Sequence, residues 1–237
     1  MPPGNILISL RGVRKDYNGL RPLRVERLEL REGESLAIVG FDRAGAEVLV
    51  DLITAASLPD SGDVDIFGTP TSAITDSGTW LRELDHFGIV SERAVLLEQL
   101  TVEQNLALPL TLELDDLPAA VRARMRELAD EVGIALDELP QALGRLGPSG
   151  QLRVRLGRAL ALAPRVLLAE HPNATLPSEE TPTFAADFAR IIAGRRVATL
   201  VLTADRTFAG AVAERVLTLD PATGELRSSA GWRRWFT

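Results

Sequence analysis

The sequence predicts an α/β protein with a helical insertion, and three observations carry that assignment. Ser35-Leu36-Ala37-Ile38-Val39, Val166-Leu167-Leu168-Ala169 and Ala198-Thr199-Leu200-Val201-Leu202 are short, continuously apolar runs, the pattern of strands buried on both faces of a sheet. The first run leads into a loop bounded by Gly40 and Gly45, then into helical spacing over 46–56 (Val48, Leu49, Leu52, Ile53). Strand, glycine-bounded loop and helix in that order open a phosphate-binding unit. From Thr101 to about Leu146 the pattern turns helical, with Val121, Met125, Leu128 and Val132 on one face of a charged segment.

The remaining elements follow from local chemistry. Ile6-Leu7-Ile8-Ser9-Leu10 and the alternating run from Leu23 to Leu30 are strand patterns joined through an Asn18-Gly19 turn. Pro59-Asp60-Ser61-Gly62-Asp63 is a turn, followed by strand residues 64–68 and 86–90, with Trp80 between them expected in the core. A second helix of the insertion is expected over 149–163, stopping before Pro164. A helix over 179–193 separates the last two buried runs, and residues 216–219 and 225–227 suggest a closing hairpin. The expected organisation is one domain over 1–237, with a core at about 1–95 and 160–230, a helical subdomain at about 96–160 and a tail at 231–237.

Composition narrows the function classes. The 237 residues are 46% hydrophobic and 25% charged, the balance of a folded chain with enough apolar material for a substantial core. The formal net charge of −7 argues against a broad nucleic-acid footprint. With no cysteine there is no disulfide, thiolate metal site or cysteine nucleophile, and with only His86 and His171 a multi-histidine metal site is not expected. No basic, apolar leader opens the chain and no apolar run approaches the ~18 residues of a membrane span, so a cytoplasmic protein is expected. Lys15 is the only lysine, so any lysine-dependent chemistry runs through it or not at all.

The order of landmarks resembles the ATP-binding subunit of ABC transporters across nearly the whole chain. Tyr17 falls where that family stacks the adenine; Gly33-Glu34, Gly40, Gly45 and Pro59-Asp60-Ser61-Gly62 fit its spacing. The run from Leu100 to Leu110 is similar to the lipoprotein- and macrolide-exporter branch. Gln151 to Leu160 resembles the helix after the signature loop, and Val166 to Pro172 the second nucleotide motif. The resemblance implies a P-loop NTPase-type ABC ATP-binding domain with a mixed sheet core, an antiparallel β-subdomain and an inserted helical subdomain.

Against that pattern the chemical positions are altered. A phosphate loop is G-x-x-x-x-G-K-[ST]; this chain has Gly40-Phe41-Asp42-Arg43-Ala44-Gly45-Ala46-Glu47. Ala46 stands for the lysine and Glu47 for the Mg²⁺-binding hydroxyl. Both glycines remain, so the loop is expected to keep its shape with its charge inverted. Glu47, in the helix's first turn, and Asp42 would then fill the anion site from within. Arg43 either substitutes for the lysine, pairs with Asp42 or Glu47, or faces solvent. Glu92 takes the glutamine-loop position and Glu170 that of the second motif's aspartate, both able to ligate Mg²⁺. His171 replaces the catalytic glutamate, and a packed or solvent-facing ring is its expected state. Ala204 replaces the switch histidine, and the interface loop ends Ala174-Thr175-Leu176-Pro177 without its aspartate. The signature loop aligns with Leu146-Gly147-Pro148-Ser149-Gly150: Pro148 removes an N–H donor, and Ser149 is expected as a helix N-cap.

Phosphoryl transfer rests on positioning and charge neutralisation, and these losses fall on separate loops. The sequence therefore favours a catalytically silent subunit, with no cofactor expected and no metal site. Its partners would be a membrane permease subunit, a second ATP-binding subunit in a homo- or heterodimer, or both, at the inner face of the membrane. The alternative is a subunit that binds or slowly hydrolyses ATP·Mg²⁺ through Tyr17, Glu92 and Glu170; a third is an interaction protein with no transporter link. The tail Gly231-Trp232-Arg233-Arg234-Trp235-Phe236-Thr237 suits a membrane interface or partner groove, or else a fold-back onto the domain.

Overall fold

The fold was analysed in a computed structural model that describes residues 4–17 and 19–228; the tail and one half of the Asn18-Gly19 turn lie outside the described residues. β1 (Ile6–Lys15) and β2 (Leu23–Arg31) pair antiparallel, with Leu10 opposite Leu28 and Val13 opposite Val25. β3 (Ser35–Val39) leads into α1 (Arg43–Ile53), then β4 (Ser61–Ile66), β5 (Thr69–Pro70), α2 (Ser77–Leu84) and β6 (Phe87–Val90). The insertion supplies α3 (Val102–Ala107), α4 (Ala119–Val132) and α5 (Pro148–Leu160). β7 (Val166–Glu170), α6 (Thr181–Arg195), β8 (Ala198–Thr203), α7 (Arg206–Val212), β9 (Arg215–Leu219) and β10 (Leu226–Ser228) complete the described residues.

Within them the strands form two sheets. One is antiparallel in the order β2-β1-β4-β5; the other runs β10-β9-β3-β8-β7-β6 and is parallel except for the β9–β10 hairpin. The continuous apolar runs follow from this topology, because each central strand feeds a different core with alternate residues. Leu36, Ile38, Val166, Leu168, Leu200 and Leu202 pack with α1 and the antiparallel sheet. Ala37, Val39, Leu167, Ala169 and Val201 pack with α4 to α7 on the opposite face. At ~1.5–3 kcal/mol for each large apolar side chain removed from water, this two-sided burial dominates the stability of the sheet.

The helical subdomain is joined to the sheet at a point that tolerates only glycine. A Cβ on Gly88 of β6 would lie 2.2 Å from the Ala159 carbonyl oxygen of α5. Charge pairs tie the subdomain to α6: Arg195 holds Glu131 through two bonds of 2.5 Å, and Arg153 bonds both Val132 O (2.5 Å) and Asp187 (2.6 Å).

Several expected boundaries shift. α1 begins at Arg43, not Ala46, and ends at Ile53, so Glu47 is its fifth residue rather than part of the first turn. α5 begins at Pro148 with Gly147 as N-cap, which corrects Ser149 as the cap. Proline's fixed φ and missing N–H suit the first helical position and move the start one residue earlier. Residues 108–118 and 133–147 carry turns and a 3₁₀ segment in place of continuous helix. Trp80 is only partly buried, on a helix with no buried residue, and its indole N–H donates to Thr54 O at 2.9 Å.

Candidate functional site

The loop after β3 does not keep the shape of a phosphate cradle. Gly40 turns the chain at φ +114°, where a Cβ would also meet the Leu219 carbonyl oxygen at 3.0 Å. Asp42 then takes an extended conformation and caps α1, its Oδ1 accepting the Gly45 N–H at 2.7 Å. Gly45 permits this approach, since a Cβ there would stand 2.9 Å from the same oxygen. The Ala46 N–H already bonds Asp42 O at 3.0 Å. The amides that would converge on an anion are therefore a helical turn, answered by the protein's own carboxylate. The internal anion expected of this loop is Asp42, and Glu47 takes no part in the cap.

Helix register also redirects the side chains. Ala46 is fully buried in the core beneath α1. Arg43 and Glu47, one helical turn apart, face a cavity of about 250 Å³ shared with Glu92, Arg93, Glu170 and His171. Arg43 pairs with neither Asp42 nor Glu47: its Nη1 lies 2.7 Å from Glu92 Oε2, so one oxygen of the Glu92 carboxylate is already engaged. Tyr17 sits at the loop's edge, its hydroxyl 3.6 Å from where a Gly45 Cβ would be. Its pKa is raised by burial and by the charge of Asp42.

The far wall contains a cation absent from the sequence-based site. Glu170, at the end of β7 with its side chain 5% exposed, accepts a 2.5 Å bond from Ser91 Oγ. Both of its oxygens are also taken by Arg93, through Nη2 and through Nε at 3.3 Å, and Arg93 Nη1 reaches Asp51 at 3.0 Å. The hydrogen bonds Arg93 donates to Glu170, and then the one it donates to Asp51, hold its guanidinium above its usual range against the opposing effect of burial. No single local pattern in the sequence marks this group, since Arg93 and Glu170 are 77 positions apart.

His171 is partly buried with a left-handed backbone (φ +43°), its N–H donating to Leu202 O at 2.7 Å. Its Nε2, with Glu92 Oε1 and Arg155 Nε, is buried without a partner among the described residues. All three residues border a cavity of about 10 Å³, the threshold for one bridging water. Burial lowers the pKa of Arg155, and Glu92 acts in the opposite sense.

The remaining positions singled out from the sequence are Ala204 and residues 146–150. Ala204 is exposed with only a methyl to present, while its neighbours satisfy one another: Thr203 Oγ1 bonds Asn173 at 3.2 Å, Asn173 bonds Asp205 at 3.0 Å, and Asp205 caps α7. In the 146–150 loop Leu146 is buried, Gly147 caps α5 without a side-chain bond, and Pro148 supplies no N–H. A second cavity of about 240 Å³ lies between β6 and α5, lined by Leu84, Phe87, Ile89, Leu162 and two arginines, Arg155 and Arg158.

The residues present do not fit ATP·Mg²⁺. Ala46 is turned into the core, Asp42 occupies the turn, and the carboxylate best placed for a dication carries a guanidinium. A triphosphate there would meet the carboxylates of Glu47, Glu92 and Glu170, with Arg43 and Arg93 already paired to the last two and no ammonium among the lining residues.

Comparison with known proteins agrees with the architecture. The ABC transporter family model matches residues 23–174. The chain is 35% identical to the phosphonates import ATP-binding protein PhnC of Anaeromyxobacter dehalogenans over 86% of its own length, and spans 41% of that protein. It is 33% identical to the lipoprotein-releasing system ATP-binding protein LolD of Paramagnetospirillum magneticum, covering 81% of this chain and 84% of LolD. The dimeric post-hydrolysis structure of the ATP-binding cassette MJ0796, bound to ADP and Pi, matches with TM-score 0.75 at 24% identity, over 94% of this chain and 97% of that one. Among the described residues no helix is long and apolar enough to cross a membrane. Family model, relatives and fold agree: the chain belongs to the ABC transporter family, in the class of its ATP-binding subunits.

Proposed function

We propose that this chain is an ABC-type subunit that acts without nucleotide chemistry, as a structural or regulatory partner of a membrane permease or of an active ATP-binding subunit. The observation that carries the reading is the Asp42–Gly45 cap, with Ala46 buried beneath it: the element that should grip phosphate is a closed helix start. The vestigial site comprises Tyr17, Gly40, Asp42, Arg43, Ala44, Gly45, Ala46 and Glu47 on one side, with Glu92, Glu170, His171 and Ala204 opposite. Residues 146–150 would face a partner subunit. The groove between β6 and α5, lined by apolar side chains with Arg155 and Arg158, supports docking of a permease element at the inner membrane face. A second reading, a subunit that binds or slowly hydrolyses ATP, draws support from relatives named as ATP-binding proteins and from Tyr17 beside the loop.

Co-purification separates the two. A tagged chain isolated from its native membranes is expected to bring a permease or ATP-binding subunit with it, equally with ATP·Mg²⁺ and after nucleotide depletion. Association that requires ATP would refute the nucleotide-independent reading, and absence of any transporter subunit would refute the docking role.

A further inference from the structure

We propose that Arg93 is the resident cation of the pocket, bridging Glu170 and Asp51 as their built-in counter-charge and fixing the loop after β6 whatever ligand is present. The inference rests on the reading above and deepens it. Glu170 ends a strand buried at every residue, so its charge must be matched inside the protein. A planar guanidinium does this along two parallel directions and has a third left for Asp51, a geometry a point-charge ammonium does not reproduce. Ser91 adds the remaining donor to the same carboxylate. Charge that a bound ion would neutralise reversibly is thereby neutralised by a tethered group, with no dependence on ion concentration.

The consequence reaches the groove. Ala94, next to Arg93, lines the cavity against α5, and Val95 O accepts a 2.7 Å bond from Arg158 of α5. The segment is held at one end by Arg93 on β7 and α1, and at the other by α5. The groove's wall is set by charges within the fold, so its docking shape does not wait for nucleotide.

Thermal unfolding of the full chain in EDTA and in excess MnCl₂ or MgCl₂ tests this. The wild type is expected to unfold at one temperature in both. Arg93→Ala is expected to melt several degrees lower in EDTA and to regain part of that loss in Mn²⁺, because Asp51, Ser91 and Glu170 would then have room for a dication. A metal-responsive wild type, or an Arg93→Ala variant indifferent to both metals, overturns the proposal. If that variant does not fold, the double variant Arg93→Ala with Glu170→Gln decides: recovery of folded, metal-indifferent protein supports a counter-charge role, and failure to recover overturns it. ATP binding by the wild type would defeat the silent-subunit reading but leave this metal response to be judged by itself.

Discussion

Removing the Asp42 carboxylate is the most informative single change. Asp42→Ala deletes the acceptor of the Gly45 N–H, a 2.7 Å bond at the start of α1. Loss of an N-cap costs about 0.5–2 kcal/mol, with about 1 kcal/mol typical. For a chain of this size that corresponds to a fall of roughly 2–4 °C in melting temperature. Asp42→Asn keeps an acceptor at the same place and is expected to lose no more than a few tenths of a kcal/mol, about the spread among good N-caps. Calorimetry or urea unfolding in phosphate-free buffer measures both. The contrast matters because a carboxylate that made no bond to the helix start could be removed without loss of stability. An Asp42→Ala variant as stable as wild type, or more so, refutes the cap.

Ala46→Lys, the change that restores the family's lysine, is expected to weaken the protein by about 3 kcal/mol, because the side chain starts in a filled core and carries a charge; urea unfolding with ATP titration checks it, and improved ATP affinity at unchanged stability counts against the register described. Gly88→Ala forces a methyl against the Ala159 carbonyl and is expected to cost about 3 kcal/mol or to shift α5 off β6, seen as lost cooperativity in unfolding. Glu131 titrates below its usual range because Arg195 donates to it. Its stabilisation is complete above the ordinary carboxylate pKa and is lost as pH falls through the depressed folded value. Glu131→Gln should therefore lower stability at neutral pH by about 1 kcal/mol, allowing for solvent screening, and flatten the acid limb of a stability–pH profile. An unchanged acid limb would discount the pair.

The core strands were legible because two-sided burial forces continuous apolar runs: Leu36 and Ile38 serve one core, Ala37 and Val39 the other. α4 was legible from the same rule at helical spacing, Met125, Leu128 and Val132 being fully buried. Helix starts were less so. Arg43, Ala44 and Gly45 carry no apolar periodicity, and the cap that recruits them into α1 depends on the approach of Asp42 to Gly45. Pro148 displaced Ser149 as the start signal for the same reason, a local backbone preference outweighing a side-chain one. Spacing singled out Ala46, Glu92, Glu170, His171 and Ala204 as candidates, and the structure places Glu92, Glu170 and His171 around one cavity. Their surroundings were not legible: that Ala46 faces the core, that Arg43 reaches Glu92, and that Arg93 joins Glu170 to Asp51 are results of tertiary packing between distant segments.

Isothermal titration of ATP·Mg²⁺ into the purified wild-type chain asks most directly whether the fold has closed its own phosphate site. No saturable heat is expected up to millimolar nucleotide. Stoichiometric binding with a micromolar dissociation constant would contradict the account.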